Sequence, residues 1–384
     1  MLEKALEGNN KYWAWIFFLL GVMTIGGLFY VHQFNYGLGA TGMSRDVSWG
    51  VYIAQFTFMV GVAAGGVMLA LPLYIHNYKV FGKIAVLGEF MAIAAVAMCL
   101  MFITVDLGQP MRIMNVLLHP TPHSMLFWDM IVLNGYLFLN VVCGWVILHS
   151  VYKEVPPPKW ARPLVILSIP WAFSIHTVTA FLYCGLPGRH FWLTAILAPR
   201  FLASAFAAGP ALLLIIALIM KHMGCFDPGK EAVQKLTTII IYAAIANMFF
   251  VGLEFFTAFY SNVPEHMATL KYLFWGLDGH HSLVWPMRFG SVIGAIAIIM
   301  LLFQKFRNSD GWLGLCLGMI FVSLWIDKGV GFVLAGFVPS PFDRVTEYFP
   351  TVTEIAIALG IWAAGALILT LLYKIALKVE FKKE

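Results

Sequence analysis

The sequence predicts an all-α bundle of about ten transmembrane helices with both termini in the cytoplasm. Three observations carry that prediction. The chain of 384 residues is 61% hydrophobic and only 11% charged, with a mean hydropathy of +0.85, more apolar surface than a soluble domain can hide. Ten apolar segments each approach the roughly 20 residues that cross a bilayer. Lysine and arginine alternate between rich and poor loops, which is an orientation signal, so the net charge of +5 is read as topology and not as a nucleic-acid footprint. The whole of 1–384 is read as a single integral membrane domain.

The run M-L-E-K-A-L-E-G-N-N-K is mixed in charge and leads into a full span at 12–32, unlike a cleaved signal peptide. The other spans are placed at 49–75, 84–105, 127–150, 163–185, 201–220, 236–260, 286–304, 312–337 and 352–374. The ninth has the loosest second half, because it carries Gly329, Gly331 and Gly336. Sixteen of the 24 Lys and Arg residues fall on the side of the termini, which makes that side cytoplasmic. The cytoplasmic loops are short and plain, such as K-E-V-P-P-P-K-W-A-R-P, whereas the outer loops carry His, Trp, Arg and Asp. The working face is therefore expected outside, since function concentrates on loops held by a rigid scaffold.

In the second span, Gly61-Val-Ala-Ala-Gly65-Gly66 reads as a close helix crossing. Glu89, in the cytoplasmic third of the third span, fits either a local pair or the start of a proton path. Asp106 closes that span in V-D-L-G-Q-P-M-R, as a turn acid or as a proton acceptor at the rim of an outer pocket. His119, His123, Trp128 and Asp129 follow in H-P-T-P-H-S-M-L-F-W-D-M, where Ser124 suits a helix cap. The prolines between the two histidines make a metal site a weak reading, and no metal is expected. His176 stands in the outer half of the fifth span, with Thr179, Ala180 and Tyr183 on its helical face. The five cysteines are isolated, with no C-x-x-C, and His32 is a poorly placed second axial ligand. No intrinsic haem or iron–sulfur cluster is expected. A quinone fits His176 better, because a neutral imidazole both donates to a carbonyl and relays a proton.

Asn247, Glu254 and Ser261 recur every seven residues and form a polar stripe that should face the bundle. Asp327 and Lys328 are adjacent, so they point about 100° apart and each needs a partner elsewhere. Glu354 opens the last span where a carboxylate suits a helix N-terminus. Arg200 and Arg288 each follow a proline and open an outer-side helix, against the helix dipole. That conflict fits a ligand or partner site at the rim, or snorkelling to the interface.

D-L-G-Q-P at 106–110 and S-M-L-F-W at 124–128 resemble the D-L-G-R-P and S-P-M-S-W-G signatures of the polysulfide reductase membrane subunit (NrfD/PsrC) family. Gln109 stands where the family has Arg, and no Pro separates Ser124 from Met125. S-I-H-T-V-T-A-F at 174–181, F-W-L-T-A-I-L-A-P-R-F-L-A-S-A-F at 191–206, D-K-G-V-G-F-V-L-A-G-F-V-P-S-P at 327–341 and E-Y-F-P-T-V-T-E at 347–354 are similar to its ten-helix branch. The resemblance implies a family core in spans one to eight, with two additional spans from about 312. It implies a menaquinone-interacting subunit of a respiratory complex, linked to sulfur or sulfite metabolism, in which an extracytoplasmic ferredoxin-like iron–sulfur subunit docks outside. A multihaem cytochrome c, a haem b membrane subunit and a cytoplasmic iron–sulfur subunit are the further partners implied, with membrane lipids around them. Carried over by motif, Asp106, His176 and Arg200 are the quinone candidates, with Tyr183 and His123 beside them.

The residues themselves agree on one point. A chain without metal or haem ligands stores no single electrons, so redox work needs a bound quinone and a cofactor-bearing partner. Glu254 or Asp106 then takes the second proton, and Asp327, Lys328 and Glu89 form a candidate route across the bilayer. The alternatives are an ion- or proton-translocating transporter and a passive anchor for extrinsic subunits.

Overall fold

Each apolar run forms a helix, because a backbone in hydrocarbon must satisfy its own hydrogen bonds. The computed structural model describes residues 2–66, 69, 72–73 and 79–380. The principal helices are α1 (Asn10–Tyr36), α2 (Val51–Ala64), α3 (Gly82–Asp106), α4 (Met125–Lys153), α5 (Ala161–Cys184) and α6 (Leu197–His222). They continue as α7 (Lys230–Tyr260), α8 (Pro264–Phe274), α9 (Val284–Leu302), α10 (Asp310–Leu324) and α11 (Val352–Glu380). Among the described residues nine helices are long and apolar enough to cross a membrane, α10 being prolonged through Ala335, and none of the regular elements is a strand. The protein is a multi-pass, all-α membrane bundle. Of the predicted span 49–75, α2 is the described part and most of the run beyond Gly66 lies outside the described residues.

Two groups of four helices make the bundle. In one, α2 packs on α3, α3 on α4 and α4 on α5; in the other, α6 packs on α7 and α10, and α10 on α9. The groups meet where α2 crosses α6, and there Gly65 and Gly209 leave no room for a Cβ on either backbone. The small-residue run in α2 therefore serves close packing, as its spacing predicted. Helices α1 and α11 pair through Gly26 and Gly360, and α11 leans on α3. The apolar window of α1 is 17% buried and that of α3 78%, which sets α1 at the lipid-facing edge and α3 at the centre.

Both termini finish at one end: Lys378 pairs with Glu7, and the Lys4 ammonium donates to the Lys378 carbonyl at 3.2 Å. The opposite end carries the long loops. There Glu354 and Thr351 exchange hydrogen bonds, Thr351 N to Glu354 Oε2 at 2.9 Å and Glu354 N to Thr351 Oγ1 at 3.3 Å. This reciprocal pair is a capping box, and Glu354 also accepts from Gly42 N at 2.7 Å and the Tyr348 hydroxyl at 2.5 Å. The carboxylate at the start of the last span is thus a cap and a loop tie. Ser124 stands at the N-cap of α4 but makes no capping bond with its side chain.

Two elements depart from the expected pattern. Helix α8 lies in a stretch read as loop, although Pro264 and Glu265 in its first turn are helix-start residues. Between Trp325 and Gly331 the chain winds as a π-helix, followed by a short α turn Phe332–Ala335. The glycines there loosen the regular helix as expected, and the wider winding carries Asp327 and Lys328.

Candidate functional site

Arg200 lies in the first turn of α6, where Pro199 loses no hydrogen bond by lacking an N–H. Its guanidinium forks between two carboxylates: Nη1 donates to Glu254 Oε2 at 2.5 Å and Nη2 to Asp327 Oδ1 at 2.8 Å. Glu254 comes from the last two turns of α7 and Asp327 from the π-helix. The Arg200 side chain is 6% exposed, Glu254 12% and Asp327 20%. A cation facing the positive end of its own helix is a conflict that the two carboxylates resolve. Arg200 is therefore buried in the bundle and does not stand at a docking rim, which corrects the expectation for it. Arg288 does not repeat the device, because it is exposed and its Nε donates at 2.8 Å to the Phe274 carbonyl that ends α8.

Asp327 and Lys328 part as their adjacency predicted. The Lys328 ammonium turns to the seam between the two helix groups, donates to the Phe201 carbonyl at 3.3 Å and sits 4.4 Å over the Phe201 ring. Gly61 of α2 gives it room, since a Cβ there would come within 3.1 Å of the ammonium. The π-helix is fixed to α2 by Trp325, whose indole donates to Gln55 at 2.9 Å.

A cavity of about 380 Å³ opens beside the ion cluster, enclosed by α6, α7, α8, α9, α10 and the π-helix. Arg200, Glu254 and Asp327 are its charged residues, and the wall is otherwise mostly apolar, with Phe191, Leu273, Phe274, Met287 and Ile298. Asn247 reaches it two turns deeper on α7, about 10 Å from Glu254 along the axis. Asn247 Oδ1 and Asp327 Oδ2 have no hydrogen-bond partner among the described residues. Buried acceptors left open are costly and call for a ligand or water. Met248, Gly252 and Ser291 line the cavity and are exposed on the flanks of α7 and α9, so its mouth faces sideways, toward lipid.

The other expected site residues lie elsewhere. His176 is fully buried on α5, outside the cavity wall, and neither ring nitrogen has a hydrogen-bond partner among the described residues. One turn on, Thr179 donates to Asp129 Oδ1 at 2.8 Å, leaving Asp129 Oδ2 open. This second polar pocket joins α4 to α5, and Asp129 was not among the expected site residues. Tyr183 is fully buried, shares a short hydrogen bond with Thr57 and packs edge-on against Trp49, Trp192 and Phe332. Asp106 ends α3 away from the cavity, near enough to Glu354 and Tyr52 for their charges to interact. His123 is exposed on the loop before α4, and Glu89 is buried where α3 faces Gly144 of α4. The structure thus brings Arg200, Glu254 and Asp327 together, sets Lys328 at their back, and keeps His176, Tyr183, Asp106, His123 and Glu89 apart from them. Asn247 was legible as part of the seven-residue stripe on α7; Phe191 and Met287 carried no comparable signal.

The model of the family described as polysulphide reductase, NrfD, matches residues 39–327, three quarters of the chain and all of the ion cluster. The chain belongs to the NrfD family. It is 24% identical to a putative dimethyl sulfoxide reductase membrane subunit of Halobacterium salinarum, over 93% of this chain and 88% of that one. It is 25% identical to an Hdr-like menaquinol oxidoreductase integral membrane subunit of Archaeoglobus fulgidus, over 81% and 76%. Among solved structures, the bd oxidase of Geobacillus thermodenitrificans is similar with a TM-score of 0.57 at 11% identity, covering 94% of this chain and 99% of that one. That likeness concerns the fold alone. The Halobacterium and Archaeoglobus relatives are both named as membrane subunits of oxidoreductases. No group of three or more His, Cys, Asp or Glu side chains gathers as a metal site among the described residues.

Proposed function

We propose that this subunit binds menaquinone or menaquinol from the bilayer in the cavity between α6 and the π-helix, and exchanges electrons with an iron–sulfur partner at the loop end. The observation that carries the reading is the pairing of two open acceptors, Asn247 Oδ1 and Asp327 Oδ2, with an ion cluster in an otherwise largely apolar, laterally open cavity. A lipid-soluble quinone needs a side entrance, an apolar bed and a few fixed polar groups. The menaquinol oxidoreductase relative from Archaeoglobus supports the same substrate class.

A quinone supplies two-electron, two-proton chemistry when bound. The chain's own residues do the rest. Arg200 fixes both carboxylates by two charge-assisted bonds and so holds them at set positions. Asp327 Oδ2 and Asn247 Oδ1 accept from hydroxyl donors, and the Asn247 amide donates to a carbonyl. Glu254 and Asp327 hold or release protons beside the ring, a role the sequence suggested for Glu254, whereas Asp327 was read as part of a proton route across the bilayer. Lys328 at the seam, with His176 and the Asp129–Thr179 pair behind it, is the candidate inner route for those protons, and Glu89 lies further along α3. The signature runs also resemble DsrP, the HmeB-like subunit of the DsrMKJOP complex. On that reading the electrons belong to sulfur or sulfite metabolism, the loop end faces outward, and the partners are those the resemblance implies.

The test uses the assembled complex. Asp327→Asn and Glu254→Gln should each slow menaquinol-dependent reduction of the partner clusters about 10²-fold, the scale of lost proton transfer. Asn247→Leu should weaken binding of a quinone-site inhibitor. Unchanged turnover in both carboxylate variants, with inhibitor binding intact in the third, would sink the proposal.

A further inference from the structure

A second hollow, about 1,090 Å³, lies at the terminal end of the bundle among α1, α2, α3, α6 and α11. Its wall is rich in methionine, including Met59, Met91, Met98 and Met220, side chains that adapt to flexible apolar partners. The polar groups in that wall are already used. Thr370 accepts from the Trp15 indole at 3.2 Å and donates to the Ala366 carbonyl at 2.7 Å. The Tyr373 hydroxyl donates to the Leu87 carbonyl at 2.8 Å. At the mouth, Glu7 is the one acid of the lining and it is paired with Lys378. Two cations are left over. Lys374 sits 4.4 Å over the Tyr12 ring, and Lys11 is exposed, and neither has an ion pair among the described residues.

The occupant that matches is long, apolar and flexible, with an anionic end. The two unpaired ammonium groups stand at the mouth, while the Trp15, Thr370 and Tyr373 donors deeper in the wall are taken, so the lining favours an anionic end over a neutral quinone headgroup. We propose that the hollow is a binding site for an anionic phospholipid, with acyl chains along the methionines and the phosphate at Lys11 and Lys374. Basic pockets between membrane helices recognise such headgroups. The site is separate from the Arg200 cavity and uses none of its residues.

The experiment is native mass spectrometry of the detergent-purified complex after incubation with phosphatidylglycerol or phosphatidylcholine vesicles. The wild type should retain phosphatidylglycerol in preference, less so as ionic strength rises. Lys11→Gln with Lys374→Gln should cut that retention about 30-fold, from about 5-fold for each lysine near an anionic headgroup. Lys374→Arg should keep it, which separates lost charge from lost folding. Equal retention of the two lipids by the wild type, retention undiminished by the double substitution, or recovery of quinone or a tightly held protein segment from the hollow would each overturn the proposal.

Discussion

At Arg200 the energetics turn on desolvation. A buried ion triad gains little over an apolar one, but removing one member strands the others. Arg200→Ala leaves Glu254 and Asp327 facing each other in the bundle, and should cost about 3–5 kcal/mol, seen as a lower melting temperature of the complex in detergent. Arg200→Lys keeps one bond of the fork and should fall between that and wild type. Replacing all three at once, with Met, Gln and Asn, should recover much of the stability. Each member was legible in the sequence as a charge too expensive to be idle in an apolar run. The pairing was not legible, because the partners lie 54 and 127 residues from Arg200 along the chain. His176 showed the same anomaly with greater prominence, yet its helix belongs to the other group of four. An isolated titratable side chain marks a buried polar place, and only packing decides which one.

At the level of elements, hydropathy and length placed the described span ends within six residues, since those are properties of one segment against lipid. The glycine content of the ninth span marked irregular winding but not its kind. A π-helix adds a residue to the turn, and here that presents Asp327 to the Arg200 fork and Lys328 to the seam where α6 meets α2. Helix α8 escaped notice because it is short and need not span anything. Its end and the turn after it are tied to the loop before α11 through Glu347, whose Oε1 accepts from Ser282 N at 2.9 Å and whose Oε2 lies 3.4 Å from His280 Nδ1. Partial burial pushes the Glu347 carboxyl up, but the Ser282 bonds and the His280 ring outweigh it and hold it below the usual glutamate range. A lowered carboxylate stabilises the folded loop above its unfolded pKa, about 4.3, and loses that effect as pH falls through the folded value. Protection of the Ser282 amide against hydrogen exchange should therefore be flat from neutral pH to about 5 and decline only below about 4. Protection that stays flat through about pH 3 would show that the Glu347 carboxylate does not hold the loop.

For the whole molecule, the charge bias and the shared end of the two termini give an orientation that labelling can check. A cysteine at His123 should react with a membrane-impermeant maleimide added to intact cells, and one at Lys159 should react only after lysis. The reverse pattern would invert the bundle and move the Arg200 cavity to the cytoplasmic half. The seam between the helix groups has a further consequence. Counted as ions, Arg200 and Lys328 balance Glu254 and Asp327, so this cluster taken by itself is electroneutral. In a medium of low polarisability, one added proton there is an uncompensated charge. Such an interior accepts a proton readily only when negative charge arrives with it, and sheds it when that charge departs. Proton and electron traffic would then be locked together by charge balance alone, without any moving part.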